Sequence, residues 1–440
     1  MVAASPEKWP GQNRDKEMTS RNKWLGAAVG VLTLMSVSGA SAQQGELWHF
    51  YSSGSEAAGL EALVNVANEM NADQPIVPRV FPGNIVEMRR QIQTSLMGGA
   101  PPAAYQSGMG YELKTFADEG HLRALQDVWD VIKGDEIFPE GVQRVSKVDG
   151  VPMGIPYDLS LINNIFYNTA IFEQYDITVP TDWDSLIAAC DTLRSNGVQP
   201  LNNAGGPFWT LYNFYPALIS TVGVEGYYAI ASGTAGFDTP EFREALDLFR
   251  RTMVNCYADN WSGKSWPQAA DDLINGDVGM FMMGIWAAGY MENLGFMAGE
   301  GFDFFPAPGT EDLVVFQMDL FAVPSGDEDV IAPGVKFAEA ASTAEAQSAF
   351  AVLKGSLPPN STVDPSIFGY AGSKFTTELL EADDVLPNLF FLLPTSLGTE
   401  LGTQLERFAI DPSDATLDSV VTTLEAQRAE LLAEDAFVAW

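Results

Sequence analysis

Four residues of this sequence have types and positions suited to binding a polar ring. Phe50 and Tyr51 end the first predicted strand, and Glu56 follows them; open α/β sheets bind ligands beyond the carboxyl ends of their strands. Asp319 lies inside the apolar run 314–323, where an unpaired carboxylate costs several kcal/mol. Aromatic faces pack on apolar faces of a ligand, and carboxylates accept hydrogen bonds from its hydroxyl or amino groups. These residue types suit a ligand that has both an apolar face and hydrogen-bonding groups.

Each of these residues also has a structural interpretation. Ser53 and Glu56 have the spacing of a helix capping box, Phe50 and Tyr51 suit a hydrophobic core, and Asp319 suits a hinge hydrogen bond.

Catalytic and metal-binding motifs are missing from the sequence. It contains no Gly-x-Ser-x-Gly elbow, phosphate loop or paired histidines, and its two His and two Cys are too dispersed for a zinc site. We therefore expect a binding protein without metal or cofactor. Paired carboxylates leave a secreted carbohydrate-active hydrolase as the alternative. Cys190 and Cys256 are either a disulfide or two buried thiols.

The elements that must position these side chains alternate between strand and helix. After the first strand, at 46–51, a helix is predicted with Leu60, Leu63, Val64, Ala67 and Met70 on one face. A second strand at 76–81 and a helix at 84–97 follow. This alternation predicts an α/β fold with mostly parallel sheets and helices on both faces.

The chain is organised around residues 150–168. Pro152 and Pro156 favour extended backbone before them, and residues 159–167 are apolar and β-rich, like a strand buried on both faces. Helices are predicted after Asn168 and from about residue 182. An extended segment that leaves one α/β region and enters another is typical of an interdomain crossing.

The residues from Gly150 to Leu193, GVPMGIPYDLSLINNIFYN…FEQYDITVPTDWDSLIAACDTL, resemble the crossover of bacterial extracellular solute-binding proteins that serve sugar ABC transporters. The resemblance covers nearly all of the chain after residue 43 and is strongest to the glucose-binding type. It implies a periplasmic binding protein fold, with two α/β lobes joined by three crossing segments and a ligand cleft between them. The implied lobes are 43–157 with 316–357, and 158–315 with 358–440.

The resemblance also implies site residues. Trp266 and Trp286 match the family's two tryptophans, Asp319 and Lys354 match its ligand-binding Asp and Lys, and Glu56 matches its Glu. Phe50 and Tyr51 replace a tryptophan pair of the glucose-binding type. Further candidates, which complete the predicted set, are Gln106, Trp209 and Asn388.

Three of these matches leave alternatives. Trp209 is also suited to plug a core, and Lys354 to lie exposed before a Gly turn. Asn388 stands near the family's His, where Phe390 or Phe391 is an equal match. The resemblance to the glucose-binding type, with Phe50 and Tyr51 in place of its tryptophan pair, implies that the ligand is a glucose-like ring, free or within a small glucoside.

The amino terminus predicts export. Arg21 and Lys23 precede the apolar run 24–37, and Ala40-Ser-Ala42 offers a cleavage site, as in a Sec-type signal peptide at 1–42; a membrane anchor is the alternative. Residues 1–17 form a polar prefix, so Met18 is a possible start. The expected location is the periplasm.

The net charge of −35 disfavours nucleic acid and anionic membranes as partners. It suggests a saline habitat, with an ordinary acidic exported protein as the alternative. The expected partners are a carbohydrate and the membrane permease subunits of an ABC transporter, and the expected state is a monomer.

Overall fold

The computed structural model describes residues 45–52 and 54–440. The predicted signal peptide, with its polar prefix, and Ser53 of the alternative capping box lie outside the described residues. The strands within them are β1 Gly45–His49, β2 Ile76–Val80, β3 Ala104–Ser107, β4 Lys147–Val148, β5 Val151–Pro152, β6 Gly154–Leu161, β7 Asn164–Asn168, β8 Gln199–Asn202, β9 Val278–Met282, β10 Phe302–Pro306, β11 Leu313–Ala322 and β12 Asp384–Pro387.

The helices that connect and cover these strands are α1 Gly54–Met70, α2 Ile85–Met97, α3 Tyr111–Asp118, α4 Gln126–Ile132, α5 Gly134–Ile137, α6 Glu140–Ser146, α7 Thr169–Gln174, α8 Trp183–Ser195, α9 Pro207–Ala231, α10 Pro240–Cys256, α11 Trp266–Asn275, α12 Trp286–Asn293, α13 Glu328–Ala341, α14 Ala344–Lys354, α15 Tyr370–Glu381, α16 Leu389–Leu392, α17 Thr395–Ile410 and α18 Asp414–Ala433. The predicted α/β class is confirmed, but the prediction of mostly parallel sheets is wrong, because both larger sheets mix parallel and antiparallel pairs.

The larger sheet has the strand order β12-β11-β3-β1-β2, with β6 also paired to β11. β1 runs parallel to both β2 and β3, whereas β11 runs antiparallel to β3 and β6. All eight residues of β6 are buried, because helices cover both faces of this part of the sheet. The sheet thus brings strands from three distant parts of the chain together.

The smaller sheet has the order β10-β7-β9-β8. β8 and β9 are parallel, and β7 runs antiparallel to β9 and β10. All five residues of β9 are buried. The carboxyl ends of β8 and β9 therefore lie at one edge, where α9 and α12 begin.

The predicted single strand at 159–167 is wrong. The chain ends β6 at Leu161 and begins β7, in the other sheet, at Asn164. The Asn163 side chain fixes this break, since its Nδ2 donates to Thr310 Oγ1 and the Leu313 carbonyl, and its Oδ1 accepts from Val315 N–H. The crossing between α/β regions is thus a change of sheet.

The predicted face of α1 is confirmed except at its end. Leu60, Leu63, Val64 and Ala67 are buried, but Met70 is 46% exposed, because it is the last residue of α1 and the chain turns away there. The lobe boundaries at 157/158, 315/316 and 357/358 stay predictions.

The structure pairs Cys190 of α8 with Cys256 of α10 in a disulfide with a Cα–Cα distance of 5.1 Å. Of the two alternatives drawn from the sequence, it shows the disulfide. Among the described residues, none of the helices is both long and apolar enough to span a membrane.

Candidate functional site

A cluster of buried polar side chains that hydrogen-bond to one another lies where β6 and β11 pair. Asp158 and Asp319 are register partners on these strands, and both are buried. The Tyr51 hydroxyl lies 2.8 Å from Asp158 Oδ2 and 2.5 Å from Asp319 Oδ2. Gln106 Nε2 donates to Asp319 Oδ2 at 3.2 Å. Two acids thus meet one phenol and one amide.

The hydrogen bonds of this cluster require an additional proton. A phenol has a single hydrogen, so Tyr51 donates to only one of the two carboxyl groups, and the other contact needs a proton on a carboxyl. Burial, and next to it the charge of Asp158, raises the pKa of Asp319 to about 7. Burial and both acids also raise the pKa of Tyr51 well above its usual value. Below about pH 7 the pair therefore holds a proton, on Asp319.

Lys354 supplies the positive charge. Its Nζ forms an ion pair with Asp158 Oδ2 and lies 3.5 Å from Ser160 Oγ. The same ammonium lies 5.0 Å from the Tyr51 ring centroid and 5.5 Å from that of Trp286. Because Lys354 is 3% exposed, the predicted alternative of an exposed lysine is wrong. The ion pair with Lys354 therefore offsets the negative charge that Asp158 brings to the cluster.

Two glycines allow Lys354 to reach this position. Lys354 ends α14, and Gly355 follows it with φ +81°, a left-handed cap that favours glycine. A Cβ on Gly289 of α12 would lie 2.2 Å from the Lys354 carbonyl oxygen. This close approach holds α12, which begins with Trp286, against the end of α14.

A group of aromatic side chains borders the cluster. The rings of Trp209 and Tyr212, on α9, each lie 6.2 Å from that of Trp286. The Tyr212 hydroxyl donates to Gln317 Oε1 of β11 at 2.5 Å. The predicted Trp209 and Trp286 therefore lie together, and Tyr212 links them to the strand that contains Asp319.

Two further predicted residues, Trp266 and Asn388, lie on other elements. Trp266 begins α11 and contacts Tyr290 of α12, with ring centroids 5.3 Å apart; no contact of Trp266 with the acid cluster is found among the described residues. Asn388 is fully buried, and its Oδ1 accepts from the Tyr215 hydroxyl at 2.5 Å. Its Nδ2 has no partner, so a donor is available there.

The predicted residues after β1 divide between scaffold and site. Phe50 N–H donates to Gln106 Oε1 at 3.1 Å, and its half-buried ring meets the Tyr51 ring edge-on at 5.3 Å. Tyr51 is 2% exposed. Glu56 is half-buried in the first turn of α1, and its charge, after burial and the two acids, helps to raise the pKa of Tyr157. The role of Phe50, Tyr51 and Glu56 in a ligand site stays a prediction.

Two central residues were missed from the sequence. Asp158 stands in the buried strand Gly154–Leu161, and the argument applied to Asp319, a carboxylate within an apolar run, would have found it. Tyr212 had no comparable signal, because most residues of α9 around it are also aromatic or apolar. Among the described residues, no group of His, Cys, Asp and Glu side chains is arranged to hold a metal ion.

Sequence comparisons show which proteins this chain is similar to. Residues 63–377 match the family model described as bacterial extracellular solute-binding protein. A probable sugar-binding periplasmic protein of Rhizobium meliloti is 30% identical over 359 residues, which are 81% of this chain and 86% of that protein. A protein of the same description from Brucella melitensis is 29% identical over 372 residues, 83% of this chain and 84% of its own length.

The fold is also similar to that of solved solute receptors. The solved structure of the bacterial solute receptor AcbH, described as exclusive for β-D-galactopyranose, superposes with a TM-score of 0.79 at 22% identity. The match covers 88% of this chain and 99% of that receptor. At this identity the likeness concerns the fold, that of a two-lobed periplasmic binding protein.

Proposed function

This chain belongs to the family of bacterial extracellular solute-binding proteins, and on that premise we propose that it is the substrate-binding component of an ABC sugar importer. It captures a sugar in the periplasm between two lobes and presents it to the membrane permease. The observation that carries the proposal is the cluster of Tyr51, Asp158, Asp319 and Lys354 next to the Trp286 ring. Charged and polar groups beside an aromatic face match the hydroxyls and the apolar face of a pyranose.

The predicted ligand is a glucose-like ring, free or within a small glucoside. Asp319 and Lys354 match the Asp and Lys of the glucose-binding type that the sequence resembles, and with Asp158 they suit the hydroxyls of one ring. Tyr51 is occupied by its hydrogen bonds to both acids, so at this wall Phe50 alone remains to stack on the ligand. The site then has a weaker aromatic wall than one with a tryptophan pair, and free glucose binds more weakly than a glucoside.

Binding works through the two lobes. A ligand that contacts groups of both lobes stabilises the closed form, so it shifts an open–closed equilibrium. The permease then recognises the closed surface, and the transporter's ATPase supplies the energy. The protein acts as a monomer, because a permease that docks on both lobes leaves no lobe for a second copy.

The hydrolase alternative finds less support in the geometry. Glycosidases place two carboxyl groups on either side of the scissile bond, whereas Asp158 and Asp319 are neighbours on adjacent strands and contact the same hydroxyl. Incubation of oligosaccharides with the purified protein, followed by chromatography, tests this: released products would establish an enzyme.

A thermal-shift screen tests the proposed function. Glucose, galactose, xylose, arabinose, common disaccharides, methyl glucosides and glycosylated compatible solutes are each added to the protein, followed by calorimetry of the hits. We expect a rise in melting temperature with a glucose-configured compound. A shift with a different sugar alone would be consistent with a sugar importer but would contradict the proposed glucose-like ligand. The absence of any shift would count against sugar capture itself.

A further inference from the structure

The segments that follow β8 and β9 of the smaller sheet contribute a set of buried polar atoms that have no partner within the described residues. Both side-chain amide atoms of Asn213, which is 4% exposed, make no hydrogen bond. Those of Asn203, which is 0% exposed, have no partner in hydrogen-bond geometry either, although the Tyr257 hydroxyl is their neighbour. Trp286 Nε1 is likewise buried and unpartnered. Buried polar atoms are almost always paired, so five such atoms on three residues call for an explanation.

Their places in the fold point to the candidate site. Asn203 directly follows β8, whose carboxyl end lies beside that of its parallel neighbour β9, and Trp286 begins the helix after β9. Ligands of open α/β sheets bind beyond such strand ends. Asn213 is four residues after Trp209 on α9, and residues four apart share one helix face.

That face of α9 adjoins the acid cluster. Trp209 and Tyr212 both approach Trp286, and the Tyr212 hydroxyl reaches Gln317. Gln317 pairs in register with Ser160 of β6, which lies beside Lys354. The unpartnered amide of Asn213 is thus on the side of α9 that meets the strands of Asp158 and Asp319.

We infer that Asn203, Asn213 and the Trp286 indole N–H form the wall through which the second sheet binds the ligand's hydroxyl groups. The inference rests on the proposed function. An amide offers one acceptor and two donor hydrogens, which matches a pair of neighbouring hydroxyls. This wall has no charge of its own, whereas the opposite side has two acids and one Lys. A neutral polyol face turned toward the amides and indole fits this arrangement, and a carboxylated or phosphorylated face does not.

The energetics of these atoms separate a ligand wall from a scaffold. An unpartnered buried amide destabilises the free protein, and its replacement by an apolar side chain of similar shape is neutral or stabilising. A scaffold amide, by contrast, stabilises the fold through its hydrogen bonds. Asn360 is the matched control, because it is buried, donates to the Ser342 carbonyl at 2.8 Å and accepts from Thr362 N–H at 2.9 Å.

The experiment compares Asn203→Leu, Asn213→Leu and Asn360→Leu by thermal melting without ligand and by calorimetry with D-glucose and methyl glucosides. We expect the first two variants to keep or raise the melting temperature and to weaken sugar binding about tenfold or more. The control is expected to melt lower and bind as the wild type does.

A fall in melting temperature for Asn203→Leu and Asn213→Leu comparable to the control, with affinity unchanged, would overturn the inference, since the amides would then be scaffold. Asn203→Ala and Asn213→Ala, which create space rather than fill it, repeat the test if leucine does not pack. If the wild type binds no glucose-configured compound, the proposal that the ligand contains a glucose-like ring is wrong. The ligand-free melting still decides this inference: an undiminished melting temperature supports it, and a fall overturns it.

Discussion

Asp158 and Asp319 lie directly opposite each other on adjacent antiparallel strands, and the hydroxyl of Tyr51 contacts both carboxyl groups. Like charges in this position repel and destabilise a sheet, and the strand register shifts immediately after Asp319. The proton held by the pair removes that repulsion. The pair is therefore a buried group whose charge depends on pH, at the place proposed to bind the ligand's hydroxyls.

The acid pair predicts that stability falls as pH rises. In the folded protein the pKa of Asp319 is about 7, whereas an unfolded Asp titrates near 3.9. Between these values the folded state binds more protons than the unfolded state. The free energy of unfolding thus falls with increasing pH, by at most about 1.4 kcal/mol per pH unit, and levels off above about pH 7.

Urea unfolding of the wild type and of Asp319→Asn across this range measures the effect. The difference between the two curves isolates Asp319, because burial also raises the pKa of Glu378 to about 7 and both proteins retain that group. Parallel curves for the two proteins would show that Asp319 does not hold the proton. Glucose binding by Asp319→Asn, measured by calorimetry, is expected to weaken by about 1–3 kcal/mol.

Lys354→Met is expected to destabilise the protein by about 3–5 kcal/mol, because it leaves the buried Asp158 without its counter-charge. The loss grows above neutral pH, where both acids are ionised. Denaturant unfolding measures it.

Adding Asp158→Asn to Lys354→Met is expected to recover most of the stability, since the uncompensated charge is then gone. A double variant that is no more stable than Lys354→Met alone would mean that Lys354 acts through packing on Tyr51 and Phe350 rather than through charge.

Gly289→Ala is expected to weaken ligand binding, because its Cβ would lie 2.2 Å from the Lys354 carbonyl oxygen and would push α12, with Trp286, away from α14. Gly141→Ala is the control, since no atom lies within 4 Å of a Cβ at that helical position. It is expected to be neutral or slightly stabilising. Calorimetry and thermal melting check both variants; equal affinity in the two would contradict the role assigned to the close contact.

Loss of the Cys190–Cys256 disulfide is expected to lower stability without changing affinity, because both cysteines lie on helices outside the acid cluster. The bond closes a separation of 66 residues, for which the chain-entropy model gives about 4 kcal/mol. Melting of Cys190→Ser/Cys256→Ser beside the wild type measures the loss. Two reactive thiols in the denatured, unreduced wild type would show that the bond is not formed.

The sequence predicts the strands and helices well where apolar periodicity and caps coincide. Helix α2 begins after Asn84 and ends at Met97, as predicted, because Asn84 and Glu87 form a capping box. Asp319 could be identified because a carboxylate inside an apolar strand needs a partner. The same reasoning applies to Asp158, so the acid pair was within reach of the sequence.

Other features depend on tertiary structure. The change of sheet after Leu161 has no signal in the periodicity of the sequence, since β6 and β7 are both buried and mostly apolar. Only Asn163 and Asn164 lie between the apolar residues on either side of the break. The pairing of Cys190 with Cys256 depends on how α8 packs against α10. Asn203 and Asn213 look like ordinary polar residues until their burial without partners is known.

Asn163 has a mechanical consequence. Its side chain and backbone bind the chain leaving the larger sheet to the chain returning to it, through Thr310, Val315 and the Ala307 N–H. Beyond it, β6 and β11 stay paired from Leu161–Phe316 to Gly154–Ala322. Two strands held side by side in this way cannot slide past each other without breaking that ladder, but they can twist and bend together. We therefore expect the paired strands to behave as one ribbon, so that any relative motion of the two sheets is a rotation about it rather than a translation.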